Sequence, residues 1–348
     1  LTRIYLDHAA TTPLLPQAQA AMAEALAHWA NPSSPHAEGR AARAALEDAR
    51  GRIRKALGWD GELIFTSGAS EALAIALLRG KAAAVAASAV EHDAVRRLLD
   101  EPGLPVLADG LVDLSLVPDD ALVAIQQVNN ETGVVQPVDG IAAAVRAGGG
   151  LWLADCAQSA GKLALPDADF IALSAHKLGG PPGIGALLVR DLATLDAPGG
   201  QEKGYRPGTE NLPAALGFAA ALEARREWLG RAAELREHLE KALTAAGGIV
   251  VAAASPRLPT IGAYRMPGVP AASQLIRFDL AGIAVSAGSA CSSGSVKPSH
   301  VLAAMGWAEE EAREVIRVSF GPSTTRAEIY EFIRVWTAMA ADASKRAA

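Results

Sequence analysis

Ser174-Ala175-His176-Lys177-Leu178-Gly179-Gly180 decides how this chain is read. The apolar run before it, Asp169 to Leu173, reads as a buried strand, and Pro181 and Pro182 follow. The lysine therefore sits at a tight strand exit and does not range freely as a surface lysine does. A desolvated lysine has a lowered pKa, and its neutral amine forms a Schiff base with a carbonyl compound. Taken alone, a lysine at this place more often just caps the strand end.

The stretch upstream changes that balance. A second apolar run, Leu151 to Ala154, ends in Asp155, with Gln158 three residues on. Carboxylates at strand ends of α/β proteins line the crevice where ligands bind. An aspartate facing a pyridine nitrogen keeps that nitrogen protonated and makes the ring an electron sink. Gln158 is spaced to hydrogen-bond a ring hydroxyl. Without Lys177, Asp155 would read as an N-cap or a solvated strand end.

Working outward, residues 60–190 alternate strand and helix, with polar residues at the strand exits. That pattern predicts a mostly parallel sheet with helices on both faces. Leu63-Ile64-Phe65 runs into Thr66-Ser67-Gly68-Ala69-Ser70-Glu71, followed by a helix to about Leu78. Strand, glycine turn and helix aim backbone N–H groups at a phosphate. The Walker A and dinucleotide fingerprints are missing, so a single phosphate fits better than a nucleotide. A strand over 82–87 leads to His92 at a helix start, a plain cap or an acid/base lying over an aromatic ring. Residues 122–128 are expected as a central strand, ending in Asn129-Asn130-Glu131-Thr132-Gly133, which is either turn chemistry or a carboxylate site. Ile184 to Val189 follows the Lys177 turn too closely for a crossover, so that strand is expected to be antiparallel.

Flanking this block, a short strand covers residues 4–6, and helices are expected over 15–29 and 37–57. The second of these carries Leu46, Ala49, Ile53 and Leu57 at helical spacing. The polar loop 199–211 is long enough to be functional or interfacial. A helical region over 211–246, with a bend near Gly230, connects to a smaller domain. The expected division is a large domain over 12–247, with residues 1–11 and 248–348 in the small one. There Ser286 to Ser295 holds only Ser, Ala, Gly and Cys291, which reads as a mobile loop offering a reactive thiol. Arg317 lies within a strand over 315–320. Thr325 and Glu328 form a capping box for a last helix whose apolar stripe is Ile329, Phe332, Trp336 and Met339.

Composition narrows the function classes. Half of the 348 residues are hydrophobic, enough for a large core. A net charge of -6 without a basic block gives nucleic-acid binding no electrostatic support. Two cysteines, Cys156 and Cys291, make neither a disulfide framework nor a metal spacing, which points to a reducing, cytoplasmic setting. Arg79 and Lys81 break the alanine-rich stretch, so no membrane span is expected. No secretion signal precedes Tyr5-Leu6-Asp7, and a first residue other than methionine suggests a start further upstream.

In order, these blocks resemble the cysteine desulfurases, which are pyridoxal phosphate (PLP) enzymes of the class-V aminotransferase family and fold type I. The blocks are Tyr5-Leu6-Asp7, Ala9-Ala10-Thr11-Thr12-Pro13, Asn31-Pro32-Ser33-Ser34, Thr66-Ser67-Gly68, Glu91-His92, Asn129 to Gly133, Asp155, Gln158, Ser174, His176-Lys177, Arg206 to Asn211, Gly288 to Cys291 and Arg317-Val318-Ser319. The resemblance implies an α/β PLP-dependent transferase fold with a large, mostly parallel sheet domain and a smaller α+β domain. It implies that Lys177 binds the cofactor covalently and moves protons, Asp155 pairs the pyridinium, Gln158 contacts the ring oxygen and His92 stacks on the ring. Ala69, Ser70, Ser174 and His176 would hold the phosphate, with Thr209 reaching the other subunit of a homodimer. Asn130 and Arg317 would bind the carboxylate of L-cysteine, and Cys291 would take its sulfur as a persulfide. A protein sulfur acceptor, such as an iron–sulfur scaffold, is the implied partner. The alternatives are a selenocysteine lyase or another class-V lyase or aminotransferase. The chain departs from the pattern at His8, where Asn or Tyr is more usual, at Ser70 for threonine, at Cys156, and in shortened segments before Ala121 and Ala271.

Overall fold

The computed structural model describes residues 3–28, 30–99, 103–224, 227–288 and 298–347. The chain opens with strand β1 (Ile4–Tyr5) and helices α1 (Pro16–Ala27) and α2 (Ala37–Leu57). Next come β2 (Glu62–Thr66), α3 (Ala69–Arg79), β3 (Ala84–Ala87), α4 (Asp93–Arg96), β4 (Ala121–Ala124) and α5 (Val138–Ala147). Strands β5 (Leu151–Asp155), β6 (Phe170–Ser174) and β7 (Gly185–Val189) precede α6 (Leu212–Glu223).

β2 to β7 form one sheet in the order β2-β7-β6-β5-β4-β3. β3, β4, β5 and β6 pair in parallel, while β7 runs antiparallel to both β6 and β2. The antiparallel β7 is as expected from the short Lys177 turn. Side chains alternate between faces at period two. Ala154, Ile171, Leu173 and Leu188 pack with Leu46, Ile53 and Phe218. Leu153, Phe170, Ala172 and Leu187 pack with Leu73, Ile75 and Val95. Both faces are covered by helices, which is why these strands read as unbroken apolar runs.

The expected central strand over 122–128 is corrected on two counts. β4 covers only Ala121–Ala124, and it lies next to the edge strand β3. Beyond Ala124 the chain still donates Ile125 N–H to Leu153 O at 3.0 Å and Gln127 N–H to Asp155 O at 3.0 Å, but the pairing with β3 has ended.

The second half holds α7 (Trp228–Ala245), β8 (Ile249–Val250), β9 (Ile261–Arg265), α8 (Ala271–Leu280) and β10 (Ile283–Ala284). It ends with α9 (His300–Ala304), α10 (Glu309–Ala312), β11 (Val315–Ser319) and α11 (Arg326–Ala347). β11, β9 and β8 make an antiparallel sheet, and β1 pairs in parallel with β10. Phe278 and Phe332 stack at 4.6 Å in the core beneath, and the expected stripe Ile329, Phe332, Trp336, Met339 is buried there. The capping box also forms: Thr325 N–H donates to Glu328 Oε2 at 2.7 Å, and Glu328 N–H to Thr325 Oγ1 at 3.3 Å.

The single bent helix expected over 211–246 is instead two. Ala224 turns to extended backbone (φ -62, ψ 144), and Gly230 lies inside α7. The reason is that the two helices serve different cores. Phe218 and Ala219 of α6 pack under the large sheet, whereas Leu235, Leu239 and Leu243 of α7 pack with Phe332 and Trp336. Each fully buried Leu or Phe adds about 1.5–3 kcal/mol, enough to hold each helix to its own core.

Two features of the fold set up the site. β2 and β3 to β6 share one direction, so their carboxyl ends meet along one sheet edge, where α/β proteins bind ligands. Gly185, the first residue of β7, presses on the turn after β2. A Cβ there would stand 2.7 Å from the Gly68 backbone and 2.3 Å from Leu173 O. The loop 199–211 is tied to the same sheet. Buried Glu202 accepts from Arg50 Nη1 and Nη2 at 2.8 and 2.9 Å and from Phe65 N–H at 2.7 Å.

Candidate active site

A cavity of about 410 Å³ lies at the carboxyl edge of the sheet. Among the residues lining it are Ala69, Ser70, His92, Asn130, Asp155, Gln158, Ser174, His176 and Lys177. Nine of the expected site residues, drawn from five strand exits, therefore meet in one place. Arg317 adjoins them through Asn130. Thr209 does not line the cavity and is exposed in its loop. Cys291 lies outside the described residues.

Lys177 ends the one-turn helix after β6. Its Nζ donates to the carbonyls of Ala9 and Ala10 at 2.6 and 2.9 Å. Burial, helped by the charge of Arg317, pulls its pKa down to about 8, against the opposing pull of Asp155 and Asp7. A lysine ordinarily titrates near 10.4. The lowered value means that the reactive neutral amine is present at lower pH. Covalent capture of PLP by the cofactor-free protein should therefore speed up about tenfold per pH unit below about 8 and level off above it. Absorbance kinetics between pH 6.5 and 10 check this. A rate still climbing at the top of that range would contradict it.

Asp155 closes β5 and is buried, accepting the Ala157 N–H at 2.8 Å. Burial raises its pKa, with His92 and Lys177 pulling the other way. His92 caps α4, its Nδ1 accepting the Ala94 N–H at 3.1 Å. Burial lowers its pKa. The neutral ring with Nδ1 as acceptor carries its proton on Nε2. His92 is thus a cap that also lines the cavity. His176 Nδ1 lies 3.1 Å from Thr11 Oγ1, and burial pulls its pKa to about 4. Gln158 Nε2 donates to Ala9 O at 2.9 Å, while its buried Oε1 has no hydrogen-bond partner among the described residues.

At the cavity's other end α3 begins at Gly68 (φ 157), which supplies no side-chain cap. The first-turn N–H groups of this helix and the helix dipole are thereby left for an anion. Glu71 in the same turn accepts the Ser67 N–H and pairs with Arg206 at 3.1 Å, which fastens the loop 199–211 to the cradle.

Several contributors stand in the blocks quoted above or among the departures from them, with no role at the site assigned from sequence. Glu91, beside His92, accepts from Ser88 Oγ at 2.7 Å and Gln126 N–H at 2.9 Å, and burial lifts its pKa to about 8. It is a neutral acid bracing the exits of β3 and β4. Asp7 meets Arg317 across most of the chain's length. The departure at His8 has a steric explanation: a Cβ on Gly321 would stand 2.0 Å from the His8 ring, so the histidine occupies space that glycine leaves. Burial holds it neutral, with a pKa of about 4.

This donor set fits PLP. An amine of lowered pKa, a buried carboxyl for a ring nitrogen, an unpartnered amide oxygen for a ring hydroxyl and an uncapped helix start for a phosphate line one cavity. Among the described residues no cluster of His, Cys, Asp and Glu is arranged to hold a metal, and no helix is long and apolar enough to cross a membrane.

Comparison with known proteins agrees with the geometry. The pattern of the family "Aminotransferase class-V" matches residues 4–332. A cysteine desulfurase of Cereibacter sphaeroides is 37% identical, with 96% of this chain and 95% of that protein covered. Cysteine desulfurase IscS 1 of Archaeoglobus fulgidus is 34% identical, covering 95% of each. The X-ray structure of a NifS-like protein from Rickettsia africae superposes with a TM-score of 0.87 at 31% identity, over 98% of this chain and 99% of that one. The structure of SspA in complex with cysteine gives a TM-score of 0.79 at 31% identity, over 93% and 100%. With the family's pattern running from β1 into α11 and the cavity built as described, the chain belongs to the class-V aminotransferase family.

Proposed function

We propose that this protein is a PLP-dependent cysteine desulfurase that converts L-cysteine to L-alanine and keeps the sulfur as a persulfide on Cys291. The observation carrying this reading is the single cavity in which Lys177 and Asp155 face an uncapped helix start. Near-full-length relatives named cysteine desulfurase support it.

When bound, PLP stores the electron pair released at the substrate Cα. The chain's own residues do the rest. Lys177 holds the cofactor covalently and, once freed, carries the Cα proton on Nζ. The Ala9 and Ala10 carbonyls give that amine a fixed resting place. Asp155 keeps the ring nitrogen protonated, Gln158 bonds the ring hydroxyl and His92 covers the ring. Ala69, Ser70, Ser174 and His176 cradle the phosphate. Thr209 of the partner subunit completes that cradle in a homodimer. Asn130 and Arg317 orient the substrate carboxylate, and orientation is where such sites gain rate. The Cys291 thiolate forms a bond to the substrate sulfur as the Cβ–S bond breaks, and the carbon fragment leaves as alanine.

A protein acceptor then takes the persulfide sulfur. An iron–sulfur scaffold in the cytoplasm is the proposed destination, in keeping with relatives named IscS. The working division is two units, with residues 1–11 and 248–348 in the smaller one.

The deciding measurement is product and sulfur balance with L-cysteine. Alanine is expected, with one persulfide sulfur per alanine before a reductant is added. Pyruvate in place of alanine would make the protein a β-lyase.

A further inference from the structure

Arg317 is already engaged by a carboxylate of its own chain. Its Nη2 donates to Asp7 Oδ1 at 2.9 Å and its Nη1 to the Asn130 carbonyl at 2.9 Å. Its Nε is buried and has no hydrogen-bond partner among the described residues. The arginine side chain is 7% exposed and the Asp7 side chain 20%, so the cation is the enclosed member of the pair. Asp7 is held by its backbone: it bridges to Ser319, and its carbonyl accepts from Ala10 N–H at 3.0 Å and from the Tyr5 hydroxyl at 3.1 Å. None of these bonds uses the carboxylate, which is free to swing while the chain stays in place.

The geometry of the contact is telling. A guanidinium grips a carboxylate best with two parallel N–H groups. Elsewhere in this chain that grip always includes Nη2, either on the Nη1–Nη2 edge, as Arg50 on Glu202 at 2.8 and 2.9 Å and Arg257 on Glu240 at 2.7 and 3.0 Å, or on the Nε–Nη2 edge: Arg52 holds Glu223 at 2.9 and 2.6 Å, and Arg334 holds Glu331 at 2.8 and 2.6 Å. Asp7 takes only Nη2 of that edge and leaves Nε without a partner. A free carboxylate approaching Arg317 for the two-point grip must therefore take Nη2 from Asp7. Leaving so enclosed a cation with no anion would be costly, which gives the protein reason to carry an anion of its own.

We propose that Asp7 is a placeholder for the substrate carboxylate. It neutralises Arg317 while no amino acid is bound and is displaced from Nη2 when the incoming carboxylate takes the Nε–Nη2 edge. This rests on the desulfurase reading only in that Arg317 receives the α-carboxylate. The consequence is weaker carboxylate binding and faster product release, because Asp7 competes for Nη2 at every turnover. Asp7 acts through Arg317 and is a positioning residue.

The test is binding of L-alanine to the PLP-loaded protein, followed by cofactor absorbance, with propionate as a competing carboxylate that has no amine. Asp7→Asn and Asp7→Ser should each bind both ligands about tenfold more tightly than the unsubstituted protein, or about 1.4 kcal/mol. The gain should appear as slower dissociation. A residue that merely props up Arg317 would give the opposite sign. Equal or weaker binding in the variants overturns the proposal, as does tightening for alanine but not propionate, which would point to an effect through Lys177. If the unsubstituted protein shows no response to alanine, the desulfurase reading falls and the proposal with it. The two failures are thus distinct.

Discussion

Lys177→Ala is expected to lose covalent cofactor attachment altogether and to lower turnover of L-cysteine by about 10³-fold or more, within the range for losing a positioned proton-transfer group. Among the residues lining the cavity Lys177 is the sole lysine, so no neighbour can substitute for it. Its pKa of about 8 depends on burial, which a replacement amine added from solution would not share. The Ala9 and Ala10 carbonyls lose their donor in the variant, but they lie in a turn whose other bonds remain, including Thr12 N–H to His176 O at 2.9 Å. Folding should survive. Borohydride reduction of the loaded protein followed by peptide mapping is the check. Label on the Lys177 peptide is the expected result, and label on any other lysine would overturn the assignment.

Cys291→Ser should separate sulfur transfer from the earlier chemistry. Lys177, Asp155 and His92 stay in place, so the variant should bind PLP and change its absorbance on addition of L-cysteine. Persulfide formation should vanish and turnover drop by about 10³-fold or more, as expected when a nucleophile is removed from groups acting as a unit. Cys156 is no substitute. It is buried beyond the cavity wall, its Sγ sits 3.4 Å from Gln127 Oε1, and burial pushes its pKa far up. A thiol that stays protonated is a poor nucleophile. Mass spectrometry after one turnover should place the added sulfur on Cys291 and none on Cys156. Unchanged turnover in Cys291→Ser would refute the sulfur-transfer role.

The parts of the fold legible in the sequence are those written in local periodicity. The runs ending in Asp155 and Ser174 are strands because both faces of the sheet are covered, and unbroken apolar residues record that. The glycine turn before Ala69, the antiparallel β7 and the Thr325–Glu328 box follow from chain stereochemistry over a few residues. What could not be read depends on distant partners. Whether the region after Asn211 is one helix or two was decided by which core each half covers. The length of β4 was decided by where its pairing with β3 ends, although the chain goes on hydrogen-bonding to β5 through Ile125 and Gln127. The Asp7–Arg317 pair joins the first strand's end to β11, and neither residue's neighbours announce the other. The bracing role of Glu91 is of the same kind, since its partners come from two separate strand exits.

The contact between Gly185 and Gly68 has a consequence for how this protein can change. The spacing between β7 and the turn that opens α3 at the cavity's edge is set by two pieces of main chain. Substitutions at Ser70 or Ser174 can therefore alter the hydrogen bonds offered to an anion but leave that backbone spacing as it is. Enlarging it would require moving β7 away from β2, and that would unfasten the sheet at the strand next to Lys177. For anyone reshaping the protein by directed evolution, the turn between β2 and α3 is the rigid die, and the Asp7–Arg317 contact, made by side chains, is the adjustable one.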